Sequence, residues 1–330
     1  MKIKSSIVGY SGYTGLELIR LLSIHPNVDI LYLFSHNNEL ENKYNHLNEF
    51  KSWEMCNDLE KIAQESDVIF LALPHGVAKK YINILTESRA KVIDISSDFR
   101  IKDENLYKMY YGDYPGSDII NRFQYGLIEN NINLIKSAKY ISNPGCFATC
   151  IQLTLMPFIE HINRVNIFAM TGSSGGGKAP SENNHHSTRS KNIFSYNPCK
   201  HRHNAEVYQT FPNFNDDNFA FIPSSGPFSR GIFLNAFIEL DKNINGEEIL
   251  NKSYKNDMFC RIQNNIQLTN VVGSNYFDIS ILHQNNNKLI VQSVIDNLIK
   301  GASGNAIQCM NIMFDIDQRA GLGNILPFYI

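Results

Sequence analysis

Ile3-Lys4-Ser5-Ser6-Ile7-Val8, followed by Gly9-Tyr10-Ser11-Gly12-Tyr13-Thr14-Gly15, is the stretch that decides the fold. The first six residues read as a strand. Leu16, Ile19 and Leu22 then fall on one helical face, and Pro26 closes that segment. Between them the glycines are spaced GxxGxxG, not GxGxxG. Glycines permit a tight turn and let the backbone come close to a diphosphate. The helix that follows offers free N–H groups and the positive end of its dipole. The plainer alternative is a tight strand-to-helix turn with no ligand. A position directly after the first strand and before an amphipathic helix is the context dinucleotide binding requires.

Outward from this turn, Val28–Phe34 reads as a second strand, Asp67–Leu73 as a third and Val92–Ser96 as a fourth, with a helical pattern over Val77–Leu85. Continuous apolar strands between helices indicate a parallel sheet covered on both faces. The first part is therefore α/β, a Rossmann-like doubly wound parallel sheet. After Pro144 the pattern changes. A helix is expected over Phe147–Ile159, and strands over Val165–Met170, Phe219–Ile222, Ile232–Leu240, Tyr276–Leu282 and Leu289–Ile295, without regular intervening helices. This is an α+β domain with a mostly antiparallel sheet. Ile232–Leu240 is almost wholly apolar, as a strand buried on both faces would be. Helical spacing returns over Asn297–Ile316.

With 330 residues, 43% of them apolar, the chain is long enough for about two domains. Thirty basic and thirty-two acidic residues leave a net charge of −2, which argues against a nucleic-acid or anionic-membrane binder. No apolar stretch approaches the ~20 residues that span a bilayer, and the apolar run near Met1 is too short for a signal peptide. Six cysteines with no CxxC pair exclude a zinc ribbon and point to a reducing, cytoplasmic setting. No metal is expected.

The second strand ends Phe34-Ser35-His36-Asn37-Asn38, with no acid before Glu39. A carboxylate there would hold a ribose diol and repel a 2′-phosphate. Its absence, with hydroxyl and amide donors present, favours NADP(H) over NAD.

Ser142-Asn143-Pro144-Gly145-Cys146-Phe147-Ala148-Thr149 sets a cysteine after a Pro-Gly turn at the start of a helix. A helix N-terminus stabilises a thiolate, the nucleophilic form. The alternative is a buried structural cysteine; Cys150, one turn on, is expected to face the core. His201-Arg202-His203 places two histidines at i and i+2, pointing the same way if on a strand. They would be an acid/base pair (His203 first, His201 second), surface loop residues, or part of a zinc site that lacks a recognisable third ligand. Gly172-Ser173-Ser174-Gly175-Gly176-Gly177-Lys178 would cradle phosphate or be a flexible loop; Ala179 after Lys178 rules out a Walker A loop. Arg100 and Arg230 each offer a guanidinium near a strand end, suited to carboxylate or phosphate.

Gly9–Gly15, Ala72-Leu73-Pro74-His75-Gly76, Asp94–Arg100, Tyr125-Gly126-Leu127, Asn143–Cys146, His201–His203 and Lys300-Gly301-Ala302-Ser303-Gly304-Asn305-Ala306 occur in this order. The set resembles the N-acetyl-gamma-glutamyl-phosphate reductase family of arginine biosynthesis, related to aspartate-semialdehyde dehydrogenase. The similarity covers nearly the whole chain. It implies an NADP-binding domain over 1–145, joined by a returning C-terminal segment 300–330, and a catalytic and dimerisation domain over 146–299. It implies NADPH-dependent reduction of N-acetyl-L-glutamyl 5-phosphate to the 5-semialdehyde and phosphate, by a homodimer or homotetramer. Carried over residue by residue, Cys146 is the acyl-accepting nucleophile and His203 or His201 the acid/base. Gly9, Ser11, Gly12, Tyr13, Thr14 and Gly15, with Ser35, hold the dinucleotide; Pro74, Gly301 and Asn305 lie near its nicotinamide half. Arg100, Asn143, Ser174, Lys178, Tyr196 and Arg230 are candidate substrate contacts.

Departures fall in the substrate half. Ile128 stands where the family has Pro, Ala205-Glu206-Val207 where it has Pro-Glu-Ile, and Ser224-Ser225-Gly226-Pro227 where a His is common before Arg230-Gly231. The rival readings are the same chemistry on another acyl phosphate (N-acyl-aminoadipyl or N-succinyl-glutamyl) and a non-catalytic NADP-binding regulatory homologue.

Overall fold

The chain divides into two compact units. The first comprises Met1–Lys102, Tyr114–Pro144 and Ala302–Asn324; the second is built on Asp103–Asp113 and Gly145–Gly301. The computed structural model describes residues 2–35 and 53–327.

In the first unit, β1 (Ile3–Val8), β2 (Val28–Phe34), β3 (Glu54–Met55), β4 (Val68–Leu71), β5 (Lys91–Asp94), β6 (Phe123–Tyr125) and β7 (Tyr140–Ser142) form one sheet. Its order is β3-β2-β1-β4-β5-β7-β6, and every neighbouring pair is parallel. Strand order runs opposite ways on either side of β1 and β4. Ligands of doubly wound sheets bind at the carboxyl ends of the strands at such a point. The helix Tyr13–Ser23 follows β1 directly and buries Leu18, Ile19, Leu21 and Leu22.

Val77–Leu85 is not one helix. A 3-10 turn, Ala78–Lys80, precedes a short helix, Ile82–Thr86. Asp98 is the local cause, since its two oxygens take the N–H groups of Gly76 (2.6 Å) and Lys79 (3.1 Å). The tail also starts later than its spacing suggests: a wide π-type turn, Ile299–Ser303, leads into the helix Gly304–Met313, buried along its whole length.

The second unit carries β8 (Ile162–Thr171), β9 (Phe194–Ser195), β10 (Phe219–Ser225), β11 (Ile232–Leu240), β12 (Cys260–Ile262), β13 (Phe277–Asn285) and β14 (Lys288–Ile295). The order is β12-β13-β14-β11-β8-β10-β9. Pairs β12–β13 and β8–β10 are parallel and the other four antiparallel. The segment Asp103–Asp113, placed by the sequence reading in the first domain, groups here. Its Tyr111 hydroxyl donates to the carbonyl of Arg202 at 3.2 Å.

β11 is not buried on both faces. Leu234, Ala236 and Ile238 point inward, while Phe237 is 49% exposed. Apolar sequence misled here because the outward positions are apolar too. Phe168 lies beside Ile222 and Asn235, and Met170 beside Phe233, so the outer face has an apolar row of its own.

The helix Cys146–Leu155 packs against β11 and β14. Phe147, Ile151, Leu153 and Leu155 are buried, at about 1.5–3 kcal/mol each. That outweighs the ~1 kcal/mol a missing N-terminal cap costs, so this helix can leave its first turn uncapped.

Candidate active site

Cys146 is the first residue of that uncapped helix, preceded by an extended Gly145 (φ −71°, ψ 152°). It is the partly exposed end of an otherwise buried helix. Downstream the helix is pinned: the Gln152 side-chain amide donates to the Glu206 carbonyl at 2.9 Å, and Thr154 Oγ1 meets Ser293 Oγ at 2.6 Å. A Cβ on Gly301 would stand 2.7 Å from Cys146 Cβ and 3.1 Å from its Cα, so this glycine lets the two segments close up. Cys150 is fully buried, and burial pushes its thiol up to about 12. One of the two thiols on the helix is thus inert, and the other sits where backbone N–H groups favour a thiolate.

His201 and His203 lie neither on a strand nor on a surface loop. They occupy a buried turn leading into the helix Asn204–Thr210. The His203 N–H donates to His201 Nδ1 at 3.2 Å. The His201 ring is boxed by Phe147, Tyr196 and Phe221, with centroids 5.5–5.8 Å away. Burial, and secondarily the charge of Arg202, pushes this imidazole down to about 3. His201 is therefore neutral, with one nitrogen already engaged as an acceptor.

His203 is different, because its Nε2 lies 3.9 Å from Glu206 Oε1. Glu206 is fully buried, and its other oxygen accepts the Gly145 N–H at 2.9 Å. The Tyr111 hydroxyl reaches Oε1 at 3.4 Å. One carboxylate thus spans from the histidine to the turn carrying Cys146. Sequence reading passed over Glu206. The available signal was its spacing: an acid three residues after His203 shares its helical face.

The glycine loop after β8 is not a cradle of free N–H groups. Those of Gly172, Ser173, Ser174, Gly175 and Gly177 all go to nearby carbonyls. The Ser174 hydroxyl donates to the Ser229 carbonyl and accepts from Asn297. Lys178 closes the loop, half-buried. Arg230 is committed to Asp296 through two hydrogen bonds of 3.1 and 3.2 Å. Tyr196 is protonated, since burial and the neighbouring Cys146 both raise its phenol. Sequence reading did not single out Arg189, which is buried close to Tyr196.

Arg100 and Asn143 belong to the first unit. Arg100 donates to the Ile95 carbonyl at 3.0 Å, and its charge bears on Asp94, a buried carboxyl raised to about 7 by burial and by Asp98. Asn143 is fully buried. Its amide donates to the Pro144 and Ala302 carbonyls and accepts from Asn305 at 2.7 Å.

The first unit also gathers the cofactor candidates other than Gly301. Gly9 has φ +95°, and a Cβ there would strike the Ala72 carbonyl at 2.4 Å; one on Gly15 would strike Tyr10 Cα at 2.5 Å. A Cβ on Gly12 would meet nothing within 4 Å. Gly12 also begins the helix Tyr13–Ser23 with no side-chain cap, leaving open space at a helix N-terminus that suits a diphosphate. Ser11 and Ser35 meet through their hydroxyls at 3.2 Å, and Ser303 donates to the Thr14 carbonyl at 2.9 Å. Pro74 is exposed just beyond β4. The Asn305 side-chain N–H groups reach Gly126 and Asn143, while its buried Oδ1 has no hydrogen-bond partner among the described residues. A carboxamide N–H would satisfy it. These features fit a nicotinamide dinucleotide. His36–Asn38 and Glu39 lie outside the described residues.

A family model described as "Semialdehyde dehydrogenase, NAD binding domain" matches residues 4–138, and one described as "Semialdehyde dehydrogenase, dimerisation domain" matches residues 146–297. Curated relatives named N-acetyl-gamma-glutamyl-phosphate reductase include that of Thermoanaerobacter sp. (strain X514), 39% identical over 99% of both chains. That of Archaeoglobus fulgidus is 37% identical over 97% of this chain and 98% of its own. The chain belongs to the N-acetyl-gamma-glutamyl-phosphate reductase family. Within that family it keeps the fold of more distant enzymes. Aspartate semialdehyde dehydrogenase II from Vibrio cholerae, complexed with ASA, superposes with a TM-score of 0.73 at 18% identity, over 96% of this chain and 99% of that one. The aspartate semialdehyde dehydrogenase with NADP from Candida albicans gives 0.63 at 15% identity, over 97% and 99%.

Proposed function

We propose that this member of the reductase family converts N-acetyl-L-glutamyl 5-phosphate and NADPH to N-acetyl-L-glutamate 5-semialdehyde, phosphate and NADP, in arginine biosynthesis. The observation that carries this reading is Cys146 at the uncapped start of a buried helix, tied through Gly145 and Glu206 to His203.

Cys146 Sγ attacks the acyl carbon. The C–S bond forms, the bond to the phosphate oxygen breaks, and phosphate leaves with the electron pair. The thioester divides one hard reduction into two easier steps. Gly9–Gly15, Ser35, Pro74 and Asn305 would hold NADPH, which would supply the hydride for reduction of the thioester. The C–S bond then breaks, returning Cys146 as a thiolate and releasing the aldehyde. His203, with Glu206 to balance its charge, holds the proton that stabilises the oxyanion in each addition. His201 positions His203 by accepting its N–H. Gly301 shapes the nucleophile's seat rather than the cofactor's. Support for NADPH over NADH comes from Ser35 and from the lack of an acid before Glu39. Ser174, Lys178, Tyr196 and Arg230 of the second unit, and Arg100 of the first, are the polar groups offered to substrate; Asn143 supports the cofactor residues by bracing Asn305.

The chain assembles with copies of itself through the outer face of the second sheet, where Phe168, Met170, Ile222 and Phe237 form an open apolar surface. A dimer is the smallest assembly that covers it, and a tetramer would pair dimers. Among the described residues no helix is long and apolar enough to cross a membrane; a nucleophilic thiol belongs in the reducing cytoplasm.

The test is the reverse reaction. N-acetyl-glutamate semialdehyde, NADP and inorganic phosphate yield NADPH, and the signal is lost when phosphate is omitted or Cys146 is alkylated. No phosphate-dependent NADPH formation by the wild type refutes the proposal.

A further inference from the structure

The second unit holds two arginines in very different circumstances. Arg230 has its countercharge in place, the fully buried Asp296. Arg189 is more deeply buried, at 6% exposure, and no carboxylate pairs with it among the described residues. Its neighbours are neutral oxygens. Nη2 donates to the Ser225 hydroxyl and to the Gly226 carbonyl at 3.2 Å, and Nη1 reaches Asn184 Oδ1 at 3.4 Å and the Asn183 carbonyl at 3.5 Å. Nε is buried with no hydrogen-bond partner among the described residues. A buried cation without a countercharge is costly. A protein retains one where a ligand brings the negative charge.

The location says which charge. Phe194 lies 5.9 Å from the guanidinium, the Tyr196 ring lies 6.5 Å from Phe194, and His201 lies 5.8 Å from Tyr196. Arg189 and Cys146 are both within electrostatic reach of the Tyr196 phenol. The leaving phosphate is bonded to the carbon under attack and must lie at Cys146. An anion held at Arg189, which is linked to His201 through Phe194 and Tyr196, belongs to the other end of the substrate. We propose that Arg189 is the receptor for the substrate's α-carboxylate, four carbon–carbon bonds from the reacting carbon, and so selects α-amino-acid-derived acyl phosphates. This rests on the activity proposed above.

The test uses the reverse reaction with two aldehydes, N-acetyl-glutamate semialdehyde and 4-acetamidobutanal, which lacks only the carboxylate. Arg189→Ala is expected to lower kcat/KM for the semialdehyde by about 10²-fold, mostly through KM. It should leave kcat/KM for 4-acetamidobutanal and the KM for inorganic phosphate within about threefold. Arg189→Lys keeps the charge, loses the fork, and should fall between; it also serves if the alanine variant does not fold. Equal losses on both aldehydes would make Arg189 a structural tie and overturn the assignment. A raised phosphate KM would make it a phosphate receptor and overturn it equally. Wild type that is inactive on the semialdehyde refutes the parent activity, and this assignment with it. Wild type that is active, with its preference for the carboxylate unmoved in both variants, refutes only Arg189.

Discussion

Glu206→Gln tests the link between histidine and nucleophile without removing an atom from the core. Glutamine keeps an oxygen able to accept the Gly145 N–H, 2.9 Å away in the wild type, so the turn before Cys146 stays held. The substitution deletes the charge 3.9 Å from His203 Nε2. At that separation two unit charges attract by about 4 kcal/mol with an effective dielectric near 20. Glu206 is fully buried and His203 nearly so, so little of this is lost to solvent. The charge-assisted hydrogen bond to Gly145 also weakens, by about 1 kcal/mol. Part of the Coulomb loss is recovered by relaxation, leaving roughly 3–4 kcal/mol against the protonated imidazole. The expected result is a fall in kcat of about 10²–10³-fold, with KM for NADPH unchanged and the thermal midpoint moved by only a few degrees. The assay is phosphate-dependent NADPH formation at saturating substrate, beside thermal unfolding of both proteins. A variant that folds normally and keeps kcat within twofold of wild type would refute the assigned role of Glu206.

Gly301→Ala places a methyl 2.7 Å from Cys146 Cβ. Overpacking should cost about 1–3 kcal/mol of stability, and the displaced thiol should alkylate more slowly, measured by iodoacetamide trapping and peptide mapping. His201, held down at about 3, binds no proton in the folded chain through mildly acidic pH. Its contribution is fully present above the unfolded value near 6.5 and drains away as pH falls from there towards about 3. Wild type should therefore lose about 2 kcal/mol from this group between pH 7 and 5, and urea unfolding of His201→Gln should show a smaller loss. Asn305→Ala removes the unpartnered buried oxygen and should weaken NADPH binding about tenfold, read by nucleotide fluorescence titration. Phe237→Glu charges the outer sheet face at a residue 49% exposed and should yield monomers in sedimentation velocity.

Period and punctuation made the architecture of the first unit legible. β1, its glycine turn and the helix after it stand as the sequence indicates, because apolar spacing and glycine act locally. β6 and β7, three residues each, are too short to display any period. β11 shows the converse limit: nine nearly apolar residues do not reveal which face is buried and which is left open. The placing of Cys146 was readable because Pro-Gly before a helix is a local signal. Glu206 and Arg189 were not, since their meaning lies in what surrounds them. Glu206 matters because a buried turn folds back on it. Arg189 sits in a polar stretch that reads as loop, and only its burial without a carboxylate sets it apart.

The chemistry turns on a covalent bond at Cys146, which can be trapped. Wild-type protein mixed with N-acetyl-L-glutamyl 5-phosphate, without NADPH, is quenched in acid and mapped by peptide mass spectrometry. An N-acetylglutamyl adduct is expected on the peptide bearing Cys146, removed by hydroxylamine and absent in Cys146→Ala. Phosphate release with the adduct on another residue, or NADPH oxidation undiminished in Cys146→Ala, would contradict it.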